Sequence, residues 1–250
     1  INKVFYNPEA FLRIGNLYRK GRGVQKDCLI AQDYYELAAK RNNSRAFFYL
    51  AYFYINVDIS KAIYYLLKSS VIHNERQTIY DSNGQVFHFN RYNKFCYRSF
   101  NDVGLIYLFL FDDIEKANDN IKQSAFGEYP FGQNNFGLMN ELYFNEYGNA
   151  EYMYSKASKN NFALAEFNLG RFYEKNGNIQ KSVEYYIKAS EDDELPLIFL
   201  KHHHHDELLE ISKKFIICFT NLKLAEYYFS LNSLDESKKY FCKSFIKLEM

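Results

Sequence analysis

Small and apolar residues recur at helical spacing between Ala165 and Ser190, in two short runs separated by a polar turn. The first run has the spacing i, i+4, i+5, i+8, and the second has i, i+3, i+4, i+7, i+8, so each run occupies one helical face. The residues are Ala165, Leu169, Gly170 and Tyr173, then Ser182, Tyr185, Tyr186, Ala189 and Ser190. This pattern predicts a hairpin of two amphipathic helices, which needs similar neighbours to cover its buried stripes.

The polar turn carries the signals that end one helix and begin another. Gly177, between Asn176 and Asn178, tolerates a positive φ, and the Asn178 side chain can cap the second helix. We expect Gly148 and Asn149 to supply a similar stop and cap. The segment from Ser233 to Glu236 has the form of a capping box.

The first-helix pattern occurs six times along the chain. In each copy a small residue is followed by an apolar residue at +4 and Gly or Ala at +5, with an aromatic residue at +8 in five of the copies. A small residue at that position lets two helix backbones approach closely. The close-approach residues are Gly15, Ala51, Gly104, Gly137, Gly170 and Ala225.

The second-helix pattern follows each copy, and its anchors define a period. The anchors lie 31 to 33 residues apart except at two intervals of 55, which indicates two insertions. They are Ala31, Ala62, Ala117, Ala150, Ser182 and Ser237. We therefore predict repeats 1 and 2 in residues 1–73, an insertion in 74–93, repeats 3 to 5 in 94–191, an irregular helical insertion in 192–219, and a last repeat in 220–250.

The first insertion allows two interpretations. The segment from Asp81 to Gly84 separates two alternating stretches, which favours a β-hairpin. A polar loop is the alternative, because two strands without a covering sheet are only marginally stable.

Composition narrows the class of protein. Tyr and Phe number 24 each, which predicts an aromatic core, and the net charge is +1 with no long run of one sign. Nucleic-acid binding is not indicated, since phosphate neutralisation needs clustered cations. No apolar run is long enough to span a membrane. The four cysteines are far apart and predict buried thiols in a reducing, cytoplasmic setting without disulfides.

The first copy resembles the Sel1-like repeat, a relative of the tetratricopeptide repeat. The resemblance rests on Glu9–Tyr18, the Gly21–Val24 turn, Asp27 and Ala31–Ala39, while the later copies lack the turn and are closer to tetratricopeptide repeats. It implies an all-α fold: a right-handed α-α superhelix, or solenoid, of about six hairpins with two insertions. It also implies a protein-binding scaffold or adaptor that uses the concave face of the array, without a cofactor or metal.

The resemblance further implies which first-helix residues line that concave face. Polar and aromatic side chains there could hold an extended peptide by its backbone and its carboxylates. Ordinary solvated polar residues are the competing interpretation. The candidates for partner binding are Asn16, Arg19, Lys20, Tyr52, Arg171, Glu174 and Lys175.

Other conspicuous residues have simpler explanations than chemistry. The four histidines His202 to His205 favour a polar loop, because adjacent residues rarely converge on one metal ion. The Gly21-Arg-Gly23 element follows a helix and lacks the Lys and Ser or Thr of a phosphate loop, so it is predicted to be an inter-helix turn. Asp112 and Asp113 precede a helix and are expected to cap it.

The sequence therefore predicts a non-enzymatic scaffold that binds other proteins or peptides, and neither nucleic acid nor membrane. Ile1 to Tyr6 resembles the end of a preceding helix, which suggests a fragment of a longer chain. A second hypothesis makes this segment the non-catalytic regulatory region of a longer signalling enzyme, such as a kinase. A third is a hydrolase site built from the insertions near His88 or the four adjacent histidines.

Overall fold

A computed structural model describes residues 7–71, 76–80, 86–90, 94–191 and 220–249 of the chain. The chain divides into two compact units, Ile1–Gly132 and Gln133–Met250. Within the described residues each unit is built on consecutive helix hairpins, and the first unit also holds one β-hairpin, so the predicted helical repeat fold is confirmed. The predicted helical insertion in 192–219 and the four histidines it contains lie outside the described residues.

The helices follow one another as six hairpins in the described residues. Hairpins 1 to 3 are α1–α2, α3–α4 and α5–α6, and hairpins 4 to 6 are α7–α8, α9–α10 and α11–α12. The bounds are α1 Pro8–Lys20, α2 Cys28–Ala39, α3 Ser44–Tyr54, α4 Ile59–Val71, α5 Lys94–Leu110, α6 Ile114–Phe126, α7 Pro130–Leu142, α8 Tyr147–Ser158, α9 Ala163–Lys175, α10 Ile179–Glu191, α11 220–230 and α12 Leu234–Glu249.

The segment between α4 and α5 contains a β-hairpin. Strand β1 spans Arg76–Tyr80 and strand β2 spans Val86–Asn90. The strands pair antiparallel, with Arg76 opposite Asn90 and Tyr80 opposite Val86. Of the two interpretations of this insertion, the structure has the hairpin.

Side-chain caps and left-handed turn residues define the helix boundaries. The Asp27 carboxylate accepts hydrogen bonds from the backbone N–H groups of Leu29 and Ile30 at 2.9 and 3.0 Å. Gly21 and Gly177 have φ values of 65° and 75°, so the predicted turns of hairpins 1 and 5 are present. Asn178 caps α10 through the backbone N–H of Lys181 at 3.2 Å, as predicted.

The predicted stop and cap at Gly148 and Asn149 is wrong. Helix α8 already begins at Tyr147, so both residues lie in its first turn. The left-handed residue of this turn is Asn145, with a φ of 57°. Asn adopts this conformation at modest cost, so the chain turns three residues earlier than the glycine suggested.

Small residues stand where the two helices of a hairpin cross, as the sequence predicts. A β-carbon added to Gly15 would lie 2.6 Å from the Tyr35 ring, and one at Gly137 would lie 2.7 Å from the Tyr154 ring. One at Gly170 would lie 2.5 Å from the Tyr186 ring. These second-helix side chains therefore pack directly on the first-helix backbone.

Aromatic rings fill much of the core, in agreement with the composition. Tyr35, Tyr154 and Phe48 are fully buried. Rings of the first and second helix stack within hairpins 1, 5 and 6, with centroids 5.9, 5.6 and 5.4 Å apart. The pairs are Tyr18 with Tyr34, Tyr173 with Tyr185, and Tyr228 with Tyr240.

Two further expectations concern membranes and thiols. None of the helices that the structure describes is sufficiently long and apolar to cross a bilayer. Cys96 is buried, as predicted, and its thiol donates to the Ser70 carbonyl oxygen at 2.7 Å. Cys242 is exposed and Cys28 is only partly buried, so the expectation of burial is wrong for these two residues, and Cys218 lies outside the described residues.

Candidate functional site: the first-helix face

The first helices of neighbouring hairpins contact one another in each unit, and we call the surface they form the first-helix face. It comprises α1, α3 and α5 in the first unit, and α7, α9 and α11 in the second. All seven predicted partner-binding residues lie on these helices. Asn16, Arg19, Lys20 and Tyr52 belong to the first unit, and Arg171, Glu174 and Lys175 belong to the second.

Asn16 and Arg19 both bond to a tyrosine of their own hairpin. The Tyr35 hydroxyl donates to Oδ1 of Asn16 at 3.0 Å and accepts from Nε of Arg19 at 3.1 Å. The Arg19 guanidinium also lies 5.2 Å from the ring centroid of Tyr49 on α3. Burial raises the pKa of Tyr35 to about 12 against the opposing charge of Arg19, so the hydroxyl stays protonated.

Lys20 differs from these two residues because its side chain is exposed at the end of α1. On the same face an ion pair between Glu9 of α1 and Arg45 of α3 joins the first two hairpins. Lys20 is therefore the most accessible of the four predicted residues in the first unit.

Tyr52 is buried, so the structure places it inside the first unit and away from any partner in solution. Its hydroxyl donates to the carboxylate of Asp102 on α5. Arg98 lies one helical turn before Asp102, with its Nε 4.0 Å from a carboxylate oxygen and its guanidinium 4.6 Å from the Phe48 ring centroid. Tyr52 thus connects hairpins 2 and 3.

The burial of Asp102 predicts a dependence of stability on pH. Burial raises the pKa of Asp102 from 3.8 to about 6, although Arg98 and hydrogen bonds from Tyr52 and Asn101 oppose the rise. The folded chain therefore holds this proton more tightly than the unfolded chain. Its contribution to the free energy of unfolding is largest below pH 4 and falls by up to about 3 kcal/mol in all as the pH rises through about 6.

Urea unfolding at several pH values checks this, with Asp102→Asn as the variant that lacks the ionisation. We expect the stability difference between wild type and variant to change between pH 4 and 6. Asp113→Asn provides a control of opposite sign, because hydrogen bonds from Lys116 lower the pKa of Asp113. Asp113 therefore contributes stability above its unfolded pKa, which is lost on acidification. If the difference in unfolding free energy between wild type and Asp102→Asn stays constant from pH 4 to 6, the prediction is wrong.

In the second unit a buried carboxylate organises the face. The Glu141 side chain is 0% exposed and accepts hydrogen bonds from both terminal nitrogens of Arg171, at 3.0 and 2.6 Å. It also accepts from the Tyr154 hydroxyl at 2.9 Å. Burial opposes a charged Arg171, but the bonds and charge of Glu141 prevail and raise the pKa of Arg171. The bidentate pair fixes the guanidinium in one position.

Glu174 has a similar role in the next hairpin along the chain. It accepts from the Tyr186 hydroxyl at 2.7 Å and from Nζ of Lys223 on α11 at 3.1 Å. Burial, followed by the bond to Glu174, raises the pKa of Tyr186. Each glutamate therefore binds the tyrosine of its own hairpin and a cation from the next first helix.

Lys175 is a second cation near the Glu141 carboxylate, beside Arg171. Its ammonium lies 3.9 Å from Oε1 of Glu141 and 5.5 Å from the Tyr147 ring centroid, and its side chain is 56% exposed. Glu141 already has a bidentate partner in Arg171, so Lys175 leaves one positive charge in excess among these three side chains.

Sequence reasoning missed Glu141, Asp102 and Arg98, although a comparison between the repeats contains the signal for Glu141. The signal lies in the first helix, four positions after the close-approach residue. That position holds a charged residue in the hairpins whose second helix packs Tyr35, Tyr154 or Tyr186 against the first. It is apolar where the second helix supplies Leu66 or Ile121. The charged residues are Arg19, Glu141 and Glu174, and the apolar ones are Ile55 and Leu108.

Other candidate binding sites are few among the residues that the structure describes. No group of three or more His, Cys, Asp or Glu side chains there could hold a metal ion. A pocket of about 520 Å³ lies between α8, α9 and α10. Two lysines and two glutamates line it, so neither an anion nor a cation is favoured: they are Lys159, Lys188, Glu166 and Glu191.

Stacked helix hairpins closed by small residues at their crossings define an α-helical repeat protein. Residues 8–43 and 45–70 match the Sel1 repeat, and residues 167–191 match the tetratricopeptide repeat. The chain therefore contains Sel1 repeats in residues 8–70 and a tetratricopeptide repeat in residues 167–191. Among curated proteins, none is similar enough in sequence to count as a match.

Solved structures share the fold at low sequence identity. A Sel1 repeat protein from Oxalobacter formigenes has a TM-score of 0.69 at 17% identity, over 98% of this chain and 89% of that one. The protective antigen c5321 of uropathogenic Escherichia coli has a TM-score of 0.57 at 18% identity, over 98% of this chain and 54% of that one. PilW, a type IV pilus biogenesis factor, has a TM-score of 0.53 at 14% identity, over 96% and 91%. These likenesses concern the fold alone.

Proposed function

We propose that this chain is a non-catalytic scaffold that binds segments of partner proteins on its first-helix face. Sel1-like and tetratricopeptide-like repeats are generally protein-interaction modules, which supports a binding function of this kind. Fold alone does not establish function, so the proposal rests on the residues of the face.

The observation that carries the proposal is the pair of cations on α9, of which Arg171 is held in one position. Arg171 is 34% exposed at its side chain, and Glu141 holds it through two hydrogen bonds. Lys175 projects beside it and is more than half exposed. A binding group that is already ordered loses little entropy when a partner arrives, so this arrangement favours association.

The charge of these side chains indicates the partner chemistry. A carboxylate of a bound segment would meet Lys175 and the outer edge of Arg171 on α9. In the first unit, Lys20 would serve a similar purpose at the end of α1. Tyr52 is left out of the proposal because it is buried, and Asn16 because its amide oxygen already accepts from Tyr35.

Neutralising the exposed lysines tests the proposal. A partner captured from the source organism and identified by mass spectrometry would be titrated against wild type, Lys20→Gln and Lys175→Gln by calorimetry. We expect each variant to bind about 2–5-fold more weakly, as for exposed charges at an interface, with a smaller dependence on salt.

Lys188→Gln is the matched control. Lys188 lies on α10, a second helix, and its ammonium is 4.8 Å from a tyrosine ring, much as that of Lys175 is near Tyr147. The Lys188→Gln variant should bind the partner with wild-type affinity. The melting temperatures of all three variants should equal that of wild type. Equal affinity for all three would place the binding surface elsewhere.

A further inference from the structure

The exposed large apolar side chains are concentrated at one edge of the hairpins. Most of them lie in the turns that join the first to the second helix, or in the adjoining helical turn. We call this surface the turn edge. Single apolar residues on a surface are ordinary, whereas a contiguous group indicates an interaction site.

In the first unit, hairpins 2 and 3 contribute four members of this group. Phe109, Leu110 and Phe111 are consecutive and are 75%, 63% and 49% exposed. Val57, in the turn of hairpin 2, is 81% exposed. Helix α5 packs against both α3 and α4, which places the two turns at the same edge of the first unit. These four side chains form the apolar portion of the proposed surface.

Carboxylates surround this apolar group. Asp58 accepts from the backbone N–H of Lys61, and Asp113 accepts from that of Lys116, so both cap their helices. Asp112 and Glu115 are exposed beside them. The Lys116 ammonium is already bound to Asp113 at 2.7 Å. With four carboxylates and the two ammonium groups of Lys61 and Lys116, the rim is negative.

Three backbone N–H groups of these turns are already hydrogen-bonded within the chain. The N–H groups of Val57 and Asp58 donate to the Tyr54 carbonyl at 3.0 and 2.7 Å, and that of Asp113 donates to the Tyr107 carbonyl at 3.0 Å. An extended segment that binds by strand addition needs free backbone groups. A helix satisfies its own backbone and can offer one apolar face, so it fits this surface better.

We propose that the turn edge of hairpins 2 and 3 docks an amphipathic helix of a partner protein, with an apolar face and basic flanks. A second copy of this chain, placed by twofold symmetry, would bring the negative rim against itself. An anionic membrane surface would repel the rim as well. This surface is separate from the first-helix cations and does not depend on the function proposed for them.

The test uses two synthetic amidated 18-residue peptides that share an apolar face of Leu at helical spacing. One carries Lys at the flanking positions, and the other carries Glu. Fluorescence anisotropy with the full chain should show binding of the Lys peptide and at least tenfold weaker binding of the Glu peptide. Equal affinities would overturn the proposal.

Variants of the chain locate the site. Phe109→Ser with Leu110→Ser should weaken the Lys peptide at least tenfold, and Asp112→Asn with Glu115→Gln should weaken it about 3–10-fold. Phe126→Ser is the matched control, because Phe126 is 61% exposed at the other end of α6, and its affinity should stay at the wild-type value. Circular dichroism would verify that every variant is folded.

Two other occupants of this surface, a second copy of the chain and a membrane, are tested by separate measurements. Sedimentation equilibrium measures whether the chain associates with itself. We expect no self-association that depends on Phe109 and Leu110, so wild type and the Phe109→Ser, Leu110→Ser variant should give the same mass. Vesicles of neutral phosphatidylcholine should not retain the chain through these residues. Either association, if removed by the double variant, would identify a different occupant and overturn the proposal. Lys20 and Lys175 are not varied in these measurements, so the first-helix proposal stands or fails separately.

Discussion

Replacing Arg171 by Met is expected to lower the free energy of unfolding by about 3 kcal/mol, the largest loss predicted for a single surface-facing residue of this chain. The reason is the carboxylate that remains. Glu141 is fully buried, and without the guanidinium it keeps only the Tyr154 hydroxyl and a Lys175 ammonium at 3.9 Å. A buried charge without its main partner is costly. Urea unfolding followed by circular dichroism measures the loss.

Two further variants separate this cause from lost packing. Lys223→Met removes the cation bound to Glu174, whose side chain is 38% exposed and can be hydrated, so about 1 kcal/mol or less is expected. Adding Glu141→Leu to Arg171→Met removes the stranded charge, and we expect most of the stability to return. A double variant no more stable than Arg171→Met would show that the charge is not the cause.

Replacing Gly170 by Leu should cost about 1–3 kcal/mol through overpacking. Even a β-carbon there would lie 2.5 Å from the Tyr186 ring, and the ring cannot retreat freely because its hydroxyl is bonded to Glu174. The first and second helices of hairpin 5 would have to separate. Thermal unfolding should show a lower melting temperature.

Gly148→Leu is the control for this prediction. Gly148 is also helical, but an added β-carbon there meets nothing within 4 Å. Replacing glycine in a helix should by itself stabilise by up to about 1 kcal/mol, so this variant should melt at or above the wild-type temperature. Equal behaviour of the two variants would show that close approach does not set the requirement for glycine at position 170.

The hairpins could be predicted from the sequence because their determinants are local and repeated. Gly15, Gly137 and Gly170 recur at one place in the hydrophobic pattern, and in each case a tyrosine ring covers them. The turn glycines Gly21 and Gly177 also needed only local reasoning, since a positive φ limits the choice of residue.

The bonding on the first-helix face was less predictable than the helices themselves. Positions within a helix indicate which way a side chain points, but not which neighbour will bind it. Arg19 and Glu174 lie at predicted positions, yet both bond to a tyrosine of their own hairpin. Tyr52 meets Asp102 fifty residues further along the chain, beyond the β-hairpin, and no local pattern relates the two.

The error at Gly148 has a physical explanation as well. Glycine is permissive, so its presence allows a turn without requiring one. Asn145 supplies the left-handed residue, and Gly148 becomes an ordinary first-turn helical residue. Asn and Asp occupy the same conformation at Asn42, Asp112, Asn161 and Asn232. Asparagine positions were thus better turn signals here than isolated glycine.

The two proposed surfaces differ in chemistry and in place. The first-helix face offers exposed cations that suit carboxylates, while the turn edge offers apolar side chains with a negative rim. A scaffold that holds two partners would need two such surfaces with different preferences. Variants on one surface should therefore leave binding at the other unchanged.

Cross-linking mass spectrometry of the chain with its captured partner tests the central claim most directly. Lysines are present on both sides of the hairpins: Lys20 and Lys175 on first helices, and Lys122 and Lys188 on second helices. If the first-helix face binds the partner, amine-reactive cross-links to the partner should involve Lys20 or Lys175, and complex formation should protect those amines from acetylation. Cross-links and protection confined to Lys122 and Lys188 would contradict the account.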